Sequence, residues 1–137
     1  MGKLLQRLQD ATRSGVYRTA GRREIDDAVR GSGLAPIGID LRQPLFDAFS
    51  RALGFPDWFG RNWDALEDCL CDLSWRDAEA HVLLIEGHEA LAPDERGILL
   101  DVLAAAAEFW TGEGKPFFAV FIDPAGALEL PALFREA

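Results

Sequence analysis

Two apolar runs dominate the hydropathy pattern of this chain. His81–Ile85 (HVLLI) and Lys115–Ile122 (KPFFAVFI) show almost no polar alternation, the pattern of strands covered on both faces. Shorter candidates precede them. Val16–Thr19 (VYRT) alternates and reads as an edge strand, and Leu34–Leu41 (LAPIGIDL) reads as a strand that pairs only from Ile37, because Pro36 has no N–H to donate. Between these lie segments of helical period. Residues 1–14 place Leu4, Leu5 and Leu8 on one side, and Arg22–Arg30 places Ile25, Ala28 and Val29 together until Gly31-Ser32-Gly33 stops it. Gln43–Leu53 carries an inward stripe of Leu45, Phe46, Phe49 and Leu53, with Pro44 in its first turn and Gly54 as its C-terminal stop. A long helix is expected from Glu95 to Trp110, with Asp94 as its cap or first-turn acid and Thr111–Gly114 ending it. Glu86-Gly87-His88 reads as a loop, and the tail from Asp123 as irregular with one helical turn around Leu130–Glu136.

The order β-α-β-α-α-β-α-β predicts an α/β fold. Its sheet is small and mostly parallel, with three to four strands packed with helices. Neither an internal repeat nor an interdomain linker is visible, so a single domain is expected over residues 1–137. Within it, residues 34–123 form the core, 1–33 an N-terminal strand–helix extension and 124–137 a tail.

The stretch Leu53–Leu73, LGFPDWFGRNWDALEDCLCDL, joins an aromatic turn to an acidic helix. Pro56 and Gly60 are turn residues, and Asn62 is suited to cap the helix that follows. Trp63, Leu66, Leu70 and Leu73 recur at i, i+3, i+7 and i+10, with Cys69 on the same inward face. The opposite face is of one sign. Asp64, Asp68 and Asp72 stack at i, i+4 and i+8, Glu67 lies beside them, and no Lys or Arg in the helix relieves them. Like charges at this spacing cost about 0.2–0.5 kcal/mol per pair. Such a face reads either as merely solvated or as a site for a cationic ligand. The aromatics Trp58, Phe59 and Trp63 next to it favour an interface with aromatic anchors and carboxylate flanks.

The net charge of −9 is unevenly distributed, with +3 on residues 1–36 and −12 on residues 37–137. An acidic body is repelled by phosphate backbones and suited to a basic protein partner, so direct nucleic-acid binding is not expected. No apolar run reaches transmembrane length and the N-terminus lacks a signal peptide's apolar core, so the expected location is cytoplasmic. Cys69 and Cys71, the only cysteines, would point about 200° apart on a helix and are read as reduced. With His81 and His88 they make no metal-ligand spacing, and neither metal nor cofactor is expected.

The run FPDWFGRNWDALEDCL (55–70) resembles the signature of the barstar family, small cytoplasmic inhibitors of barnase-type ribonucleases. The family pattern is roughly L-P-x-aromatic-aromatic-G-x-N-x-D-A-L-x-D-C-L. Pro56, Trp58, Phe59, Gly60, Asn62, Asp64, Ala65, Leu66, Asp68, Cys69 and Leu70 match it without a gap. Residues 35–122 follow the family's element order more loosely, and 1–33 and 124–137 lie outside it. The resemblance implies a 1:1 inhibitor, a self-protection or immunity protein, whose helix and preceding loop plug a nuclease active site. It implies that Asp68 takes the place of a substrate phosphate among Arg and His residues, that Asp64 pairs with further cations, and that Trp58 stacks on the catalytic histidine. Phe59, Gly60, Asn62, Trp63, Glu67 and Asp72 complete the expected contact set. This chain departs from the family at Glu67, often Trp there, at Arg61, where the best-known inhibitor has an acid, and at Trp63, which replaces a smaller residue. Arg61 is a further candidate contact. Two others are Glu108, near an acidic contact on the family's last helix, and Trp75, near a peripheral aromatic one.

Two other function classes are weighed against inhibition. The same fold could bind a basic protein that is not a ribonuclease. An enzyme using Asp64 and Asp68 as acid and base fares worst, because two carboxylates on an open helix face lack the surroundings that separate pKa values. His81 and His88 have no nucleophile in a recognisable motif, and no phosphate-cradling glycine loop is present.

Overall fold

The computed structural model describes residues 2–134. Four strands, β1 (Gly15–Thr19), β2 (Ile37–Asp40), β3 (His81–Glu86) and β4 (Phe117–Ile122), form one sheet in the order β1-β4-β3-β2 with every neighbouring pair parallel. The helices are α1 (Lys3–Leu8), α2 (Arg23–Val29), α3 (Leu45–Leu53), α4 (Trp63–Leu70) and α5 (Pro93–Gly112). This is the α/β fold expected, with all strands parallel. Single 3-10 turns at Ala11–Arg13 and His88–Ala90 complete the elements.

β3 and β4 sit inside the sheet, and their apolar runs are buried on both faces. On one face Leu83, Ile85, Phe117, Ala119 and Phe121 pack with α3, α4 and α5 through Phe49, Leu53, Leu66, Leu70, Leu99 and Leu103. On the other, Val82, Leu84, Phe118 and Val120 pack with Leu4 and Leu8 of α1, Ile25 and Val29 of α2, and Leu133 of the tail. The sheet therefore has two covering layers, and the N-terminal extension supplies most of the second.

Several local expectations need correction. The tail has no helical turn at Leu130–Phe134: Arg18 N–H donates to Pro131 O and Leu133 N–H to Arg18 O, both at 2.9 Å, so the tail runs beside β1. Residues 135 and 136 of that expected turn lie outside the described residues. Pro44 is the N-cap of α3 rather than part of its first turn. α5 starts at Pro93, where Glu95 accepts from Ala92 N–H at 3.2 Å, and it runs on to Gly112. His88 starts the 3-10 turn that follows Gly87. It is buried, its Nε2 3.5 Å from the buried Asp123 carboxylate, which also accepts from Ala127 and Leu128 N–H. Desolvation works against that carboxylate, but the two amide donors and the nearby His88 and Arg18 hold its pKa below the usual range.

His81 opens β3 with no exposed surface, packed against Trp110 and Phe117. Burial pushes its pKa down from 6.5 to about 4, and the charges of Arg76 and Lys115 add to the effect. A depressed histidine pKa means that the unfolded chain takes up a proton between these values while the folded chain does not. Stability should thus be fully present above pH 6.5 and fall as pH drops toward 4, by about 3 kcal/mol from this group. Urea unfolding across this range should give a shallower pH slope for His81→Asn than for wild type, and equal slopes would remove His81 from the account.

The second covering layer carries its own expectation. Removing residues 1–33 strips Val82, Leu84, Phe118 and Val120 of α1 and α2, and an apolar face of that kind promotes association. The shortened chain should aggregate or bind a hydrophobic dye and lose cooperative unfolding in calorimetry; a monomeric, cooperatively melting fragment would contradict this.

Candidate partner-binding face

The aromatic turn is anchored from below. Gly54 closes α3 at φ +65°, and Phe59 N–H then bonds to Pro56 O at 3.0 Å to shape the loop. Phe55 and Phe59 are buried with ring centroids 4.8 Å apart, Phe46 of α3 meets Phe59 and Trp63 edge-on, and Trp75 meets Phe55. Trp58, which lies between Phe55 and Phe59 in sequence, is 69% exposed. The three aromatics Trp58, Phe59 and Trp63 are placed unequally. Phe59 is core, Trp63 is half-buried against Phe46, and Trp58 alone is free. Phe59 therefore acts as a footing for the loop.

Two devices set the start of α4. Arg61 takes a left-handed φ of +52°, unusual for a residue with a Cβ, and its guanidinium pairs with Asp47 of α3. Asn62 then caps the helix, its Oδ1 accepting from Ala65 N–H at 2.8 Å, a contact worth about 1 kcal/mol. Gly60 has little room beside them, since a Cβ there would lie 3.3 Å from Asn62 Nδ2. Phe46 and Asp47, which seat Trp63 and Arg61, belong to the helix before the motif, so motif matching alone did not single them out.

α4 faces the core with Leu66, Cys69 and Leu70, all without exposed surface. Its end is fixed by α5, whose Trp110 Nε1 donates to Leu70 O at 2.7 Å. The opposite side carries Asp64, Glu67 and Asp68, all exposed, and among the described residues none of the three has a salt-bridge or hydrogen-bond partner for its carboxylate.

Asp72 does not complete an i, i+4, i+8 stack. The helix stops at Leu70, Leu73 turns left-handed at φ +48°, and Asp72 lies in the turn between, where its carboxylate accepts from Ser74 N–H at 3.3 Å. Leu73 itself, at this left-handed position, is 1% exposed and packs in the core with Leu70. Trp75 is half-buried with its indole N–H on Leu53 O at 2.9 Å, so it buttresses the turn from behind. Glu108 is exposed on α5, the helix that packs on α4, beside the 41% exposed Phe109.

Both cysteines are free, Cys69 buried and Cys71 half-buried. Burial raises both thiol pKa values, and carboxylates add to it: Asp72 and Asp68 for Cys69, Glu67 and Asp68 for Cys71. Among the described residues no group of three or more His, Cys, Asp or Glu side chains is arranged to hold a metal ion. No helix among them is long and apolar enough to cross a membrane.

Chemically, this face offers three unneutralised carboxylates beside one projecting indole, which complements guanidinium groups and a planar ring on a partner. The family model described as Barstar (barnase inhibitor) matches residues 37–122, more than half of the chain. Comparisons with curated proteins and with solved structures give no match. Since the matched span runs from β2 through α4 to β4 and takes in the whole of this face, the chain belongs to the barstar family.

Proposed function

We propose that this protein inhibits a barnase-type ribonuclease by seating α4 and the Trp58 loop in the enzyme's active site. The observation that carries this reading is the state of Asp64, Glu67 and Asp68. They are exposed on a helix whose other face is fully engaged, and none is neutralised within the described residues. In this reading Asp68 occupies the position of a scissile phosphate between cationic side chains, Asp64 adds a second ion pair, and Trp58 stacks on the catalytic imidazole. Gly60 and Asn62 offer backbone and side-chain contacts at the rim.

The stated family description, barnase inhibitor, points to a binding protein and not to an enzyme. We take the complex as 1:1, formed inside the cell as self-protection, by one domain in which 34–123 is the core and 1–33 and 124–137 are additions. Glu67 and Arg61 bear on which nuclease is bound. Arg61 is drawn toward α3 by Asp47, whereas Glu67 adds a third carboxylate to the exposed face.

The test is titration of a barnase-type ribonuclease with wild type and Asp68→Ala. Wild type should inhibit stoichiometrically. Asp68→Ala should lose about 2–5 kcal/mol of binding with an unchanged melting curve, as expected for removing one partner of a desolvated charge pair. Trp58→Ala should lose about 2 kcal/mol. Equal inhibition by Asp68→Ala would refute the proposed role of that carboxylate. Absence of inhibition by wild type would shift the reading to another basic partner of the same face, to be sought by pull-down.

Salt provides a second check. Raising ionic strength from about 0.05 to 0.5 M should slow association roughly tenfold or more while changing dissociation little, measured by stopped flow. A salt-independent rate would mean that the aromatics, not the carboxylates, steer the encounter.

A further inference from the structure

The residues that lead into β2, β3 and β4 frame a cleft of about 510 Å³, within the range of small-molecule sites. None of its lining residues belongs to α4 or the Trp58 loop. Leu34, Ala78, Ala80 and Pro116 give it apolar walls, and Arg76 is its only cationic side chain. The wall formed by residues 76–80 is tied down, because Lys115 Nζ donates to Ala78 O at 2.7 Å.

Arg76 is half-buried, and among the described residues no carboxylate pairs with it. Among the described residues its one side-chain hydrogen bond runs from Nη1 to His81 Nδ1 at 3.0 Å. Burial lowers its pKa, yet a guanidinium does not shed its proton in a protein, so the charge stays and is poorly compensated. Four of its five N–H donors remain unused, in a planar fork that fits an oxyanion edge-on. The neutral His81 ring holds that fork in place from inside the core. Asp77 and Glu79 line the same cleft and are exposed, yet neither pairs with Arg76. The cleft thus presents one unsatisfied guanidinium and, apart from it, two free carboxylates.

We propose that this cleft binds a small zwitterionic carboxylate of amino-acid to dipeptide size, its carboxylate on Arg76 and its cationic group toward Asp77 and Glu79. The two acids disfavour a phosphate dianion in the same position, since the lining carries a net negative charge. The proposal stands independently of the ribonuclease reading, because it shares no residue with the acidic face.

The experiment is an NMR titration of ¹⁵N-labelled full-length protein, following the Arg76 Nε–Hε resonance with acetate, β-alanine and inorganic phosphate as separate probes. A saturable shift is expected with β-alanine and with acetate, β-alanine binding about two- to fivefold more tightly, the margin one screened ion pair supplies. Asp77→Asn combined with Glu79→Gln, both at exposed positions, should reduce β-alanine to the affinity of acetate. Arg76→Gln should abolish saturation by both, read on backbone amides of Ala78 and Ala80. No saturable shift in wild type, phosphate binding more tightly than β-alanine, or saturation persisting in Arg76→Gln would each overturn the proposal. Should Arg76→Gln fail to fold, the wild-type titration and the Asp77/Glu79 variant decide it.

Discussion

Strands β3 and β4 have no polar face, and this requirement for cover on both sides shapes everything around them. A strand of Phe117, Phe118, Ala119, Val120 and Phe121 cannot leave either side in water without losing about 1.5–3 kcal/mol for each large side chain left exposed. On one side the requirement is met by α3, α4 and α5, and because three helices share it, α4 needs to contribute only a narrow stripe. On the other side it is met by segments outside the matched family span, α1, α2 and Leu133. The extension is therefore half of the casing of the sheet, whatever else it does.

That division of labour explains why the acidic face is free to act. α4 is fixed by Leu66, Cys69 and Leu70 beneath, by Asn62 at its start and by the Trp110 indole at its end. None of these contacts uses Asp64, Glu67 or Asp68. Their mutual repulsion is a small, tolerated cost in the free protein, and it turns into attraction when a cationic surface arrives. The loop obeys the same logic, with Phe55 and Phe59 buried and Trp58 between them in sequence left exposed. A backbone anchored on both sides of an exposed side chain loses less entropy on binding than a free loop would.

Period and apolarity made the elements legible: both buried strands, the Asn62 cap, the inward stripe of α4 and the α/β class follow from residues alone. What escaped depended on where chain segments meet. Asp72 fitted the helical count, but the helix stops at Leu70 and Leu73 takes a left-handed backbone, and no periodicity announces that. The burial of His88 was not visible because its partner, Asp123, is far away in sequence. The extended tail along β1 was hidden for the same reason, since its bonds run to Arg18. Of the site, the exposed acids and Trp58 were visible, whereas Phe59 and Trp75 could be sorted into supports only once their neighbours were known.

The strand order has a consequence for how the chain acquires its structure. β4 follows β1, β2 and β3 in the chain, yet it lies between β1 and β3, with Gly15 aligned to Phe118 and Thr19 to Ile122. During synthesis β1 has no strand partner until β4 has emerged. Closing so long a loop before any reward from pairing places this protein among slow folders. The β2–α3–α4–β3 portion can assemble earlier from contacts nearer in sequence, so α4 can take shape before the sheet it rests on is complete.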